Sequence, residues 1–447
     1  MIRRILCLSA ILAGLAGCAP YVAKPANPEQ FYQTLQARRL DEKPPGATWT
    51  GADLLAAALK RNPDIAAARA RYQAAQAGVR LARVVQGSNL TLTAEYANEA
   101  PHWGYGGGLD VLLDVGGRRS ARVSAAQLTG LQAFYDYAEA VWTVRVALER
   151  ARIDLASAQR EIALAEQATA LRRERLDRLA RRVAAGEDPR SVSLLAQTEL
   201  STAERRTAAA RGRQAQALAA LAKALGVSGL ALQDVVLAPV ADAPPPGDPA
   251  TLRRDAALSR ADVMRAIADY DLAENALRLE VAKQYPEVRL GPAYNYDHGV
   301  TKFPFNLGLA LPPFDMNRSG IGQAEAERAA AGRRLEAAQA SSLAAVDTAA
   351  AARMSAQNAR DRVQAREIPA SRATVEGAER ALRAGEGDRV DTLASQAALI
   401  DTELNLLDAQ RAELTAMVDL EDALRRAFDP AEAAVLQAAI TPAGARP

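Results

Sequence analysis

The chain has 447 residues but only two cysteines, Cys7 and Cys18, and only two histidines, His102 and His298. With both cysteines near the N-terminus, the body of the protein holds no thiol and no disulfide. Stability must come from burial and association instead. Two histidines are too few to close a zinc site. An excess of one charge is missing as well: 55 basic residues face 53 acidic ones, and Arg3 and Arg4 belong to the leader, so the remainder is balanced. A nucleic-acid partner, which needs a basic excess, is excluded. No apolar run long enough for a bilayer-spanning helix follows the leader, so any membrane crossing must use strands. The phosphate-binding Gly-x-x-x-x-Gly-Lys-Ser/Thr loop and the His-Glu-x-x-His helix are both missing. Without a catalytic constellation the chain is not read as an enzyme, and no cofactor or metal is implied.

The leader itself is informative. Arg3 and Arg4 precede a short apolar stretch, Ile5 to Leu15, and residues 1–17 read as an export signal too short to serve as an anchor. It ends in Leu15-Ala16-Gly17-Cys18, which resembles a bacterial lipobox. Cys18 is therefore expected to be lipidated and to become the new N-terminus; the alternative is an ordinary signal peptide with a chance cysteine. Ala19, in place of an aspartate that favours inner-membrane retention, directs such a lipoprotein to the outer membrane.

What the chain has in abundance is itself, twice. A shift of about 200 residues aligns Asp64, Tyr72, Arg80, Gln86, Leu92 and Tyr96 with Asp262, Tyr270, Arg278, Gln284, Leu290 and Tyr294. Further on, Ala185-Gly186-Glu187, Arg190, Leu194 and Gln197 fall on Ala384-Gly385-Glu386, Arg389, Leu393 and Gln396. The division is residues 1–17 as signal, 18–49 as a lipidated N-terminal segment, 50–226 and 251–428 as two repeats, 227–250 as a proline-rich linker, and 429–447 as a tail.

Each repeat reads helix, strand, strand, long helix, turn, helix. An alanine-rich helix from Thr50, a plausible N-cap, to Gln86 gives way to alternation: Leu90, Leu92, Ala94 and Tyr96 against Thr91, Thr93 and Glu95. A second strand carries Leu109, Val111 and Leu113 against Asp110 and Asp114. The second repeat alternates Val288, Leu290, Pro292, Tyr294 and Tyr296, then Phe303, Phe305, Leu307, Leu309 and Leu311. The strands are placed at about 88–114 and 286–312. This is the pattern of a transmembrane β-barrel wall, though a soluble sheet with one wet face would alternate too. Aromatics are only 4% of the chain, yet Tyr96, Trp103, Tyr105, Tyr294, Tyr296, Phe303 and Phe305 crowd around the two hairpin tips like an interfacial girdle. Four strands cannot close a barrel, so the chain must oligomerise.

The helices add a length argument. Arg119 to Ala184 gives about 66 residues and a helix near 100 Å, and the flanking helices, at about 37 residues each, sum to roughly the same length. The natural packing stacks two short helices end to end beside each long one. Pro369 inside the second long helix must remove one backbone bond and kink it. The linker, the N-terminal segment and the tail share a composition that places them together at mid-length of the helices.

At this point the chain resembles the TolC-type outer-membrane efflux proteins, over nearly all of its length after the leader. The residues that carry the resemblance are Leu54, Ala58-Leu59 and Asn62-Pro63-Asp64, then Asp114-Val115-Gly116-Gly117-Arg118-Arg119 leaving the second strand. In the second repeat they are Pro312-Pro313-Phe314-Asp315-Met316-Asn317-Arg318, and the Ala-Gly-Glu turns complete the set. The Phe314–Arg318 wording leans toward the heavy-metal, CzcC-like branch. The resemblance implies a mainly α, internally duplicated fold with long antiparallel helices forming an α-barrel and four strands given to a trimeric transmembrane β-barrel. It implies a homotrimer embedded in outer-membrane lipid, partnered by a periplasmic adaptor (membrane fusion) protein and an inner-membrane pump. The turns become the periplasmic tip, where the channel closes and meets the adaptor.

The residues singled out at that tip are Gly186, Glu187, Arg190, Gly385, Glu386, Arg389 and Asp391. The glycines permit the left-handed conformation that ends a helix. The charges read either as a gate held shut until the adaptor docks or as helix caps and solvated charges of little individual weight. Val192 stands where the second repeat has Asp391, which puts a paired acidic ring in doubt. His102 and His298 fall in equivalent hairpin loops, as surface residues or as a partial metal site. The expected function is a passive exit duct for tripartite efflux; a type I secretion duct and a lipid-anchored coiled-coil adaptor are the alternatives, and an adaptor should lack two lipid-patterned hairpins.

Overall fold

A computed structural model describes residues 21–44, 46–84, 89–98, 100–113, 116–233, 235–240, 247–311 and 313–441. The export signal, Cys18 and the ends of several expected elements (Gln86, Asp114 and Pro312 among them) lie outside the described residues. The elements run in the order α1 (Pro28–Ala37), β1 (Thr48–Trp49), α2 (Gly51–Arg61), α3 (Pro63–Arg83), β2 (Asn89–Tyr96), β3 (Trp103–Leu113), α4 (Arg118–Ala184) and α5 (Arg190–Leu225). After a 3-10 turn come β4 (Val236–Leu237), α6 (Pro249–Ser259), α7 (Ala261–Ala282), β5 (Glu287–Asp297), β6 (Val300–Lys302) and β7 (Phe305–Ala310). The chain ends in α8 (Arg318–Arg362), α9 (Ile368–Ala384), α10 (Arg389–Leu424) and α11 (Pro430–Ile440).

Thr50 caps α2 as its position suggests: its hydroxyl accepts from the Asp53 N–H, and the Asp53 carboxylate accepts from the Thr50 N–H. The single helix expected from Thr50 to Gln86 is instead two. Pro63 has no N–H and pushes Asn62 to a ψ of 125°, which ends α2. The Asn62 side chain then opens α3 by accepting from the N–H groups of Asp64 and Ile65, and it donates to Ala224 O at 2.8 Å. The second repeat breaks at the matching Arg260 without a proline. Arg260 adopts ψ 146°, grips Asp262 at 2.7 Å and donates to Ala423 O at 2.6 Å. One junction uses an amide and the other a guanidinium for the same task.

The end-to-end stacking expected from the lengths is present. Both α3 and α5 lie along α4, and both α7 and α10 lie along α8, while α7 and α10 also pack on α4. The wall therefore runs from α3 over α5, through α4, then α7 over α10, to α8 continued by α9. Its 67-residue spine, α4, is about 100 Å long. Pro369 does not leave a plain gap in the second long helix. The five residues Val363–Glu367 form a π turn just before it, and Ile368 N–H reaches back to Val363 O. A wider turn absorbs the missing donor locally, as such bulges do elsewhere.

The hairpins meet in one antiparallel sheet, with β3 paired to β5 and both β6 and β7 paired to β5. The expected fourth strand begins late, at Phe305 as β7, with a separate short β6 before it, because Pro304 cannot donate to the ladder; Ala293 N–H still donates to Pro304 O at 2.8 Å.

The main core lies at mid-length of the helices. Tyr137, Val141, Trp142, Leu148 and Leu155 of α4 pack with Trp49, Leu54, Leu232, Leu252, Val346, Phe428 and Leu436. Leu40 and Val240 join them, and β1 pairs with β4 in parallel, so the N-terminal segment, linker and tail do gather here. Within this core sits a cluster of buried charged residues, Arg145, Glu149, Arg152, Glu421 and Glu432. Arg145 lies 2.7 Å from both Glu421 and Glu432, and Arg152 donates to Glu149 at 2.6 Å. A side chain at Gly51 would collide with the Glu432 carboxylate and the Arg152 guanidinium, so the start of α2 seats directly on the cluster. Burial, followed by the neighbouring charge of Glu149, raises the Glu432 pKa to about 7 against the opposing pull of Arg145.

Candidate functional site

Strand register sorts the side chains more strictly than alternation alone. Residues directly opposite in an antiparallel pair share a face. Leu90 faces Leu109 and Tyr96 faces Trp103; Val111 faces Leu290 and Leu113 faces Val288; Leu290 faces Leu307 and Pro292 faces Phe305. One face of the sheet is thereby apolar from edge to edge, and it is bare: Leu90, Leu92, Phe305, Leu307 and Leu309 are all more than half exposed. In water such a face is an aggregation hazard. Against hydrocarbon each Leu or Phe would recover roughly 1.5–3 kcal/mol.

The opposite face carries Thr91, Thr93, Glu95, Asp110, Glu287, Arg289, Asn295 and Asn306, with Leu112 and, at the hairpin tip, Val300 as its large apolar residues. Arg289 bonds Asp110 at 3.0 Å. Gly104, Gly106, Gly108, Gly291 and Gly308 lie on this face too. A side chain at Gly106 would strike Asn295, so the polar side chains lie flat over glycine and the relief is low.

The aromatic crowding at the tips is real contact: ring centroids of Tyr96 and Trp103 are 5.2 Å apart, those of Tyr105 and Tyr296 5.0 Å, and those of Tyr294 and Phe303 5.5 Å. His102 stacks on Tyr96, and His298 bonds Asp297 at 2.8 Å. Among the described residues no group of three or more His, Cys, Asp or Glu gathers around either ring.

At the far end of α4, Gly186 and Gly385 take φ of 77° and 75°, the left-handed conformation. The residue that joins the two turns is one that sequence reasoning missed. Arg182, in the last turn of α4, lies 2.8 Å from Asp188 of its own turn and pairs with Asp388 of the other. Glu187 stands 3.8 Å from Arg182, and Arg389 stands 3.6 Å from Glu174 of α4. Arg190, Glu386 and Asp391 are exposed and belong to no ion pair among the described residues. Val192 packs with Leu179, Ala196 and Val390 in a small apolar cluster, so Val192 and its register partner Asp391 occupy opposite environments. The signal that could have found Arg182 is asymmetry: its counterpart in the second repeat is Ala381.

A sheet apolar on one face and polar on the other, carried on a helical wall about 100 Å long, defines a membrane channel wall in which strands meet lipid and helices continue the passage. No helix of the described residues is long and apolar enough to cross a membrane. The comparisons agree. The family model described as "Outer membrane efflux protein" matches residues 54–227 and 252–425, and the chain belongs to that family. The outer-membrane channel OprN is similar at 19% identity and a TM-score of 0.72, covering 92% of this chain and all of that one. A membrane protein from Pseudomonas aeruginosa gives 22% and 0.71, covering 91% and 99%. The outer membrane protein VceC from Vibrio cholerae gives 18% and 0.70, covering 85% and 97%. A search of curated proteins gives no match. The chain is thus an outer-membrane efflux protein with the fold of the outer-membrane channels, and not an enzyme. The TolC-type resemblance and the mainly α, duplicated fold stand; the lean toward a CzcC-like branch gains no support from the family match.

Proposed function

We propose that three copies close into one duct, β2 of each pairing with β7 of the next, and that this duct passively conducts substrate from a periplasmic adaptor and an inner-membrane pump to the exterior. The observation that carries the reading is the two-faced sheet whose edge strands have no partner within the described chain. The wall has matching open edges, α3 and α5 on one side and α8 and α9 on the other. A head-to-tail contact between unlike edges generates a ring. Cys18 anchors each N-terminus in the inner leaflet of the outer membrane. A lipid-anchored adaptor would leave the apolar sheet face uncovered, which disfavours that alternative.

The tip is the gate and adaptor site in this reading. Gly186 and Gly385 form the turns, Arg182 with Asp188 and Asp388 locks one turn to the other, and Glu187, Arg190, Glu386, Arg389 and Asp391 supply charge to the rim. Single-channel recording in planar bilayers tests it. Arg182→Ala is expected to raise conductance or open probability; unchanged traces would remove this lock from the gate. Asp391→Ala is the parallel test for the rim, and unchanged conductance and opening would remove Asp391.

A further inference from the structure

Helix α1 is the one helix of the described residues that buries nothing of its own: Phe31, Tyr32 and Leu35 lie on one side of it, 63%, 59% and 38% exposed. Asn27 caps it and Pro28 starts it, so it is a properly bounded helix with an unpartnered apolar stripe. Its C-terminal end is fixed. Arg38 donates to Arg61 O at 2.7 Å and to Gly226 O at 3.0 Å, and Leu40 packs on the core. That anchor is the junction where α3 stacks on α5, which is the open edge contributed by the first repeat.

The lipid bilayer is out of reach for the stripe. The 21 residues of α3 place the sheet about 32 Å from the junction, whereas the 10 residues of α1 span about 15 Å. A second copy is within reach, because the open edge of one chain faces α8 of the next in the proposed trimer. At this level α8 is set by Ser342, which bonds Ala256 O at 2.9 Å, and by Asp347, which pairs with Arg253 at 2.8 Å. Ser342, Val346, Ala349 and Arg353 turn toward its own body. The side directly opposite exposes Ala344, Thr348, Ala351 and Ser355, flanked by Met354 at 62% exposure. Small side chains let a helix approach closely, and Met354 offers an adaptable apolar contact.

We propose that α1 is an arm laid by each subunit on the next, with Phe31, Tyr32 and Leu35 seated on the Ala344–Ser355 face of the neighbour's α8. The inference rests on the trimer reading above. It is tested in native membranes with a photo-crosslinking benzophenone amino acid at Tyr32 and, as control, at Gln33. Expected are inter-chain adducts from position 32, several-fold above position 33, with the linked peptide mapping to residues 344–355. Adducts to lipid, to the same chain or to none would overturn the arm. Size-exclusion chromatography with light scattering on the unlinked protein separates the two failures: a trimer with an intra-chain link refutes the arm alone, and a monomer refutes the trimer. The triple variant Phe31→Ser, Tyr32→Ser, Leu35→Ser is expected to lower the temperature at which the trimer dissociates while single-channel conductance is unchanged; an unaltered dissociation temperature would count against the arm.

Discussion

Replacing Glu432 by glutamine should flatten the pH dependence with which the tail helix holds to the body. In the native state Glu432 shares Arg145 with Glu421, both at 2.7 Å, while Arg152 lies 2.6 Å from Glu149 and only 3.7 Å from Glu432. Three carboxyls thus face two guanidinium groups in a site from which water is excluded. The pKa of Glu432 is about 7 against an ordinary 4.5, so the native state binds this proton more tightly than the undocked state does. Its contribution is therefore fully present below pH 4.5 and is lost as pH rises through 7. The difference corresponds to about 3 kcal/mol, a factor on the order of 100 in the opening equilibrium of α11. Hydrogen exchange of peptides from residues 430–440, corrected for intrinsic rates, reads this in the intact assembly. Protection should fall from pH 5 to pH 8.5 in the wild type and stay nearly level in Glu432→Gln, because glutamine imitates the protonated acid. Parallel profiles in the two proteins would refute the reasoning. Arg145→Met supplies the converse, leaving Glu421 without its cation and Glu432 with only the more distant Arg152. It should cost about 3–5 kcal/mol at neutral pH and less at pH 5, where Glu432 is protonated.

Other expectations follow from the same geometry. Gly226→Ala places a side chain 2.6 Å from Arg61 O at a φ of 69°, so it should destabilise the α3–α5 junction by at least about 1–3 kcal/mol, seen as a lower trimer dissociation temperature. Leu290→Arg, in the middle of the apolar face, should cost about 2–4 kcal/mol and reduce the yield of heat-modifiable trimer, whereas Asn306→Arg on the polar face should leave yield unchanged and alter ion selectivity. Arg182→Ala should change thermal stability by no more than about 1 kcal/mol, since its side chain and that of Asp388 are well exposed, so an altered conductance would report on the gate and not on unfolding.

Much of the fold was written in local patterns. Alternation in Leu90–Tyr96 and Val288–Tyr296 marked the strands, the uninterrupted run from Arg119 to Ala184 marked the spine, and Thr50 marked a cap. These signals lie within one turn or one strand, where backbone preference and side-chain period act directly. What stayed hidden was made by residues far apart in the chain. Arg260 breaks a helix with no proline or glycine, because its guanidinium finds Ala423 O across the fold. Glu432 meets Arg145 only after the chain has doubled back along the whole wall. At the tip the glycines were legible, but Arg182 was not, since a single arginine in an arginine-rich helix has no local mark until the opposite turn brings Asp388 to it.

The central claim is that the bare edges of one chain are completed by the next. Electron cryomicroscopy of the protein purified from the outer membrane tests it most directly. The account predicts three chains, β2 of each hydrogen-bonded to β7 of its neighbour, with Leu92, Leu290 and Leu307 turned toward detergent and Thr93, Asn295 and Asn306 lining a bore that continues into the helical tunnel. A sheet that closes within one chain, edges left unpaired, or the leucine face turned inward would contradict it.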